Sequence, residues 1–144
     1  MQPTFNTSIA TVVEAEVDSS GEVYIRQVTL ALDCGVVINP DTVVAQVEGG
    51  MIFGLTAALY GEITLEKGRV QQSNFHDYRM LRIDQIPKID VHLVKSGEAP
   101  GGIGEASVVG GPPALRNAIY AATGVALRRL PIDRRLIAEK KSWL

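Results

Sequence analysis

The sequence predicts an α+β fold, a two-layer arrangement in which a mixed β-sheet carries two main helices on one face. Three observations point to it. Residues 9–17 alternate apolar and polar side chains and are followed by a return run, which is the period of paired, half-buried strands. Asn39-Pro40-Asp41 reads as a helix start ahead of a long apolar stretch, and Pro112-Pro113 opens a second run with apolar residues at helical spacing. A length of 144 residues corresponds to one domain, with a core expected over about 9–132 and a charged, solvated tail over 133–144.

In the first strand Ile9, Thr11, Val13, Ala15 and Val17 share a face, with Glu14 and Glu16 on the other. Asp18-Ser19-Ser20-Gly21 supplies a hairpin turn. The return strand places Val23 and Ile25 on one face, whereas further on the apolar positions are Val28, Leu30 and Leu32. The parity therefore changes near Arg26-Gln27, and a β-bulge accounts for it. The strand ends at Asp33-Cys34-Gly35.

Asn39 suits an N-cap, Pro40 forfeits no hydrogen bond in the first turn, and Asp41 faces the positive end of the dipole, so a helix is expected over 40–59. Gly49, Gly50 and Gly54 lie inside it, and each costs roughly 1 kcal/mol against alanine. Gln46, Gly50, Gly54 and Ala57 form one narrow stripe at i, i+4, i+8 and i+11. Something approaches that stripe closely, either another backbone element or a bound cofactor touched by Gln46.

A short hairpin is expected over 60–65 and 69–72 around Glu66-Lys67-Gly68, then a polar loop containing His76 and Asp77, then a strand in which Ile89, Val91 and Leu93 alternate with Asp90, His92 and Val94. His76 reads as a surface or hydrogen-bonding histidine, and His92 falls on the less buried face of its strand. Past the second helix, with Leu115, Ala118, Ile119 and Ala122 on one face, Gly124 is the expected stop.

Composition narrows the function. Fourteen Lys and Arg against sixteen Asp and Glu, with 6% aromatics and no basic run, lack the footprint of a nucleic-acid binder. The longest apolar stretch, 43–60, is interrupted by Gln46, Glu48 and three glycines, which argues against a membrane span. Residues 1–8 lack the layout of a secretory signal. With Cys34 the single cysteine and His76 and His92 the only histidines, no metal-ligand spacing and no Ser–His–Asp or Cys–His constellation can be written.

The most informative segment is 98–113, with five glycines and three prolines in sixteen residues. Such a loop brings bare backbone N–H groups close to a ligand. It is neither a dinucleotide fingerprint, because Ser107 occupies the place of the third glycine in G-x-G-x-x-G, nor a P-loop. Glu105 is the acid at its centre. Two readings stay open for it: a carboxylate satisfying loop amides or facing a helix N-terminus, or a partly desolvated general base with a raised pKa.

Taken in order, Asp33-Cys34-Gly35 with Asn39-Pro40, Gln46-Val47-Glu48-Gly49-Gly50 with Gly54, Asn74-Phe75-His76-Asp77-Tyr78 and Gly101-Gly102-Ile103-Gly104-Glu105 resemble the C-terminal region of the molybdenum-binding subunit of the xanthine oxidase family. Within it, the likeness is greatest to the beta subunits of isoquinoline 1-oxidoreductases and related bacterial aldehyde dehydrogenases. The resemblance runs over about 9–132. It implies a molybdopterin-binding domain fold and a hydroxylase that uses water as its oxygen source. In that family the glutamate of the G-x-G-E loop is the general base, which Glu105 matches. The glutamine of the Q-x-E-G segment contacts the cofactor, which Gln46 matches, and the backbone of Gly102, Ile103 and Gly104 would line the pterin. Metal ligation comes from the pterin, so no protein ligand is implied. One departure is local: relatives carry proline soon after the glutamate, and here Ala106-Ser107 follows.

The resemblance further implies molybdenum with molybdopterin, in the cytosine dinucleotide form of bacterial relatives. Implied partners are the remainder of a longer molybdenum subunit, an iron–sulfur subunit and a small aromatic N-heterocycle or aldehyde as substrate. The compartment is left unassigned, with cytoplasm and periplasm as the options. For the 144-residue chain on its own, the expectation is a portion of a larger enzyme, inactive in isolation. The alternatives are a domain that carries no cofactor and an interaction module using the glycine stripe as its packing surface.

Overall fold

A computed structural model describes residues 2–141. Its centre is a four-stranded mixed sheet: β1 (Gln2–Thr4), β2 (Thr7–Val17), β3 (Val23–Asp33) and, after two short strands, β6 (Lys88–Leu93), in that spatial order. β2 runs antiparallel to β1 and β3, while β6 lies parallel to β3. One face is apolar across the register. Ile9 lies opposite Leu32 and Val13 opposite Val28, and Ile89, Val91 and Leu93 line up beside Val28, Leu30 and Leu32. A one-residue slip would turn all of these to solvent, so their burial holds the register. On the opposite face Val12 stays exposed, as does His92 on β6.

The bulge stands where the parity change put it. Glu14 pairs with Gln27 and Ala15 with Ile25, leaving Arg26 as the extra residue. Its side chain swings out to Glu16 at 2.6 Å, with both groups exposed. At the hairpin turn Asp18 Oδ1 accepts from the N–H groups of Ser20 and Glu22 at 2.8 and 3.0 Å, and Gly21 takes φ +81°.

α1 (Pro40–Tyr60) begins with the Asn39 side chain accepting from the Thr42 N–H at 3.3 Å. By length and composition it is apolar enough to cross a membrane. Here Val47, Met51, Leu55 and Ala58 form a fully buried row against the sheet and α2 (Gly111–Thr123). α2 contributes Leu115 and Ile119 and stops at Gly124, in the left-handed region at φ +67°. Gly111 lets the helices meet: a Cβ there would lie 2.7 Å from Met51 Sδ.

Two expectations change. The hairpin is shorter than its sequence pattern, with β4 (Leu65–Glu66) and β5 (Arg69–Val70) turning at Lys67-Gly68, both at positive φ. The segment expected as a solvated tail from 133 is α3 (Arg134–Lys141), and its Ile137 is completely buried. The charge density of Arg134-Arg135 hid one apolar side chain that reaches the core. α3 is seated by an ion pair from Arg134 to Glu22, and its start is held close by the Ile132 N–H donating to Ala58 O at 2.8 Å. Residues 142–144 of that expectation lie outside the described residues.

Candidate functional site

The glycine-rich segment runs from the end of β6 to α2 and is laid along the turn after β3. The Asp33 carboxylate accepts from the Gly35 N–H at 3.1 Å and from Ser96 Oγ at 2.6 Å, and these bonds hold it below the usual carboxylate range. The Val36 N–H donates to Glu98 O at 3.0 Å and the Gly101 N–H to Cys34 O at 2.8 Å. Gly35, at φ +73°, lies so close to the carbonyls of Glu98 and Ala99 that no side chain fits. Asp33-Cys34-Gly35 is thus the anchor of the loop. Burial first, then the Asp33 charge, pushes the Cys34 thiol upward, which suits a packed side chain rather than a nucleophile.

Beyond Gly101 the loop is gripped from two sides. The Gly102 N–H donates to Phe5 O at 2.9 Å. Gln46 Nε2, from the second turn of α1, donates to Gly104 O at 2.6 Å. Ala106 and Ser107 then drop into the interior, both fully buried, directly over the helix. A Cβ on Gly50 would strike Ser107 Oγ, and one on Gly54 would strike the Val108 carbonyl. The occupant of the small-residue stripe is therefore the chain's own loop, the Ser107 side chain at Gly50 and the Val108 backbone at Gly54. Gln46, at the end of that stripe, bonds to the same loop.

Glu105 follows Gly104 and is exposed, with no hydrogen bond or ion pair from its carboxylate among the described residues. It satisfies no loop amide, and the desolvation that a general-base reading needs is not supplied by this chain's described residues. The N–H groups of Ile103, Gly104, Glu105, Ala106 and Ser107 find no acceptor among the described residues either. Gly104 has open space where a Cβ would stand, whereas a Cβ on Gly101 would lie 2.5 Å from Thr7 Oγ1. Ser107 Oγ and Thr7 Oγ1 are buried without partners among the described residues. The three of these donors on accessible residues, Ile103, Gly104 and Glu105, stand beside an open glycine and a carboxylate and fit a ligand rich in acceptor atoms, whereas those of Ala106 and Ser107 lie in the interior. A pterin is such a ligand, and the donor set meets its chemistry.

The sequence-derived set of Gln46, Gly102, Ile103, Gly104 and Glu105 is thus brought to one edge of α1. Sequence reasoning does not reach Phe5, Thr7 and Ser107. Phe5, at φ +56°, carries no composition signal for a left-handed position, and Ser107 registers in the motif only as a missing glycine. His76 stands apart in role. It is exposed, 3.5 Å from Asp77 Oδ2, while Asp77 closes its own turn by accepting from the N–H groups of Ser73 and Asn74 at 2.9 Å. Those bonds pull the Asp77 carboxyl down to about 2. Among the described residues, no group of three or more His, Cys, Asp or Glu converges on a metal-sized site.

Comparison with known proteins bears on this geometry. Residues 1–87 match the molybdopterin cofactor-binding domain family. The chain is 41% identical over 141 residues to the beta subunit of isoquinoline 1-oxidoreductase from Brevundimonas diminuta, covering 97% of this chain and 18% of that protein. It is 34% identical over 125 residues to a nicotinate dehydrogenase subunit of Pseudomonas putida, covering 85% and 10%. Among solved structures, a Cu,Mo-CO dehydrogenase superposes with TM-score 0.82 at 24% identity, over 95% of this chain and 18% of that one. The aldehyde oxidoreductase of Desulfovibrio gigas superposes with TM-score 0.81 at 26% identity, over 94% and 15%. The family match ends at residue 87, ahead of Glu105, but the alignment with the Brevundimonas protein covers nearly the whole chain and includes it. The chain spans less than a fifth of the length of these relatives. It belongs to the molybdopterin cofactor-binding domain family and is a region of the molybdenum-binding subunit type found in the xanthine oxidase family.

Proposed function

We propose that this chain forms the base-bearing wall of the molybdopterin site in a hydroxylase that oxidises an N-heterocycle or an aldehyde with water as the oxygen source. The observation that carries this reading is the 2.6 Å bond from Gln46 to Gly104, because it ties the amide-rich loop to α1 and leaves the Glu105 carboxylate facing outward. Molybdopterin, when bound, supplies the two-electron oxidation. In this reading the chain's own part is to hold the pterin through the free, accessible amides of Ile103, Gly104 and Glu105 and to receive a proton on Glu105. The substrate class is supported by relatives whose names specify isoquinoline, nicotinate, nicotine or aldehydes.

In this reading residues 1–144 are a single C-terminal subdomain of a longer molybdenum subunit, which works with an iron–sulfur subunit and uses the cytosine dinucleotide form of the pterin. α1 is a core helix, and no membrane span is assigned to the chain. The exposure of Glu105 and Gln46 supports a chain that is inactive by itself, because the surfaces that enclose them belong to the rest of the enzyme. Glu105→Gln in the complete enzyme is expected to lower turnover by about 10² to 10⁴ while molybdenum stays bound. Near-normal turnover sinks the base assignment. Elemental analysis separates the two views of the isolated chain, since stoichiometric molybdenum in it would contradict the need for the remainder.

A further inference from the structure

After α2 the chain runs without regular secondary structure and bends at 129–131, with Val125, Leu127 and Ile132 buried and Arg128, Arg129 and Leu130 turned outward. Arg128 and Arg129 join Arg116 of α2 around an open groove of about 360 Å³ whose walls are Pro112, Pro113, Leu127 and Leu130. Among the described residues no carboxylate lines it. Arg116, Arg128 and Arg129 have no ion pair or hydrogen bond among the described residues. Other arginines do: Arg26, Arg134 and Arg135 are paired with Glu16, Glu22 and Asp133, and Arg79 lies 4.0 Å over the Tyr60 ring. Over residues 112–136 there are five arginines and one acid, in a chain whose net charge is −2.

Three unpaired guanidinium groups around one groove repel each other and present forks matched to carboxylates. The groove continues along 128–136 into a second of about 1080 Å³ that reaches Tyr60 and Arg79, with Leu130 and Leu136 half exposed beside it. Glu62 and Asp133 also line this second groove, and Arg134 and Arg135 are already paired, so the unpaired positive charge sits at the first groove. A compact anion would use one end of so long a surface. At the first groove the three unpaired arginines stand beside Leu127, Leu130 and two prolines, which suits a polypeptide segment bearing both acidic and apolar side chains. Relatives more than five times longer than this chain supply ample polypeptide for such a contact.

We infer that this groove receives an extended, glutamate- and leucine-bearing segment of a polypeptide outside residues 1–144. The probe is a fluorescent synthetic peptide of alternating glutamate and leucine, titrated onto the 144-residue chain and followed by anisotropy. Saturable binding at low salt that weakens steeply with added salt is expected, as for exposed charge pairs. Arg128→Glu with Arg129→Glu should weaken it at least about tenfold, while Arg69→Glu on the exposed β5 leaves it unchanged. Unchanged affinity in the double variant overturns the inference. So does equal binding of a glutamine-for-glutamate peptide, or inorganic pyrophosphate that binds as tightly and displaces the peptide, which would mark a compact-anion site. If circular dichroism shows the double variant unfolded, Arg116→Gln must by itself reduce the affinity several-fold, and no reduction is equally fatal.

Discussion

The side-chain amide of Gln46 donates to the carbonyl of Gly104 at 2.6 Å, joining residues 58 positions apart and fixing where Glu105 leaves the helix surface. A net contribution of about 1 kcal/mol is typical of such a bond, so it orients the loop more than it stabilises the fold. Gln46→Ala is therefore expected to leave the thermal midpoint nearly unchanged and to speed amide exchange at Gly102 and Val108, the hydrogen-bonded N–H groups on either side of Gly104. Exchange at the wild-type rate in those residues would show that the loop is held by its other anchors alone.

Neighbouring glycines of α1 make opposite predictions. Gly49 has open space where a Cβ would stand, so Gly49→Ala should stabilise by roughly 1 kcal/mol through helix propensity. Gly54 is pressed against the Val108 carbonyl, so Gly54→Ala should destabilise by about 1–3 kcal/mol through overpacking. Urea unfolding of the pair measures both. The same sign for the two would refute the close approach of loop and helix.

Besides its ion pair and the Ile132 hydrogen bond, α3 is anchored to the core by the Ile137 side chain. Ile137 is fully buried, and Ile137→Ala should cost about 2–5 kcal/mol, as truncations in a packed core do. A cost near zero in denaturant unfolding would return 133–141 to a solvated tail.

Asp77 carries a pH signature. Its carboxyl is held down to about 2, first by the Asn74 and Ser73 N–H groups and, more weakly, by the Ser73 hydroxyl and His76. A carboxyl depressed on folding contributes stability that is full above its ordinary value near 4 and is lost as pH falls towards about 2. Asp77→Asn should accordingly lower the thermal midpoint at neutral pH, and the difference from wild type should vanish in strong acid. A difference that persists unchanged below pH 2 would assign the loss to geometry rather than to charge.

Residue spacing made much of this molecule legible. Alternation over 9–17 and its parity change foretold the β2–β3 hairpin and the bulge at Arg26, and Asn39-Pro40 marked the start of α1, because strands, bulges and caps are written in neighbouring residues. Gln46, Gly102, Ile103, Gly104 and Glu105 were legible as a group through motif order. Phe5, Thr7 and Ser107 were not, since nothing local marks the carbonyl that receives the Gly102 N–H or the hydroxyls against which Gly101 and Gly50 are pressed.

By itself the sequence determined that an α+β domain forms, where its main helices begin, and that a glycine-walled loop carries a single carboxylate at its centre. Tertiary structure alone decided what fills the glycine stripe. The Ser107 side chain lies on Gly50 and the Val108 backbone on Gly54 because the Asp33-Cys34-Gly35 turn and the buried face of α1 bring distant segments together. It also decided that Glu105 stands free in solvent and that Ile137 turns a charged tail into a packed helix. Exposure and close approach are properties of pairs of surfaces, and no single stretch of chain contains both members of the pair.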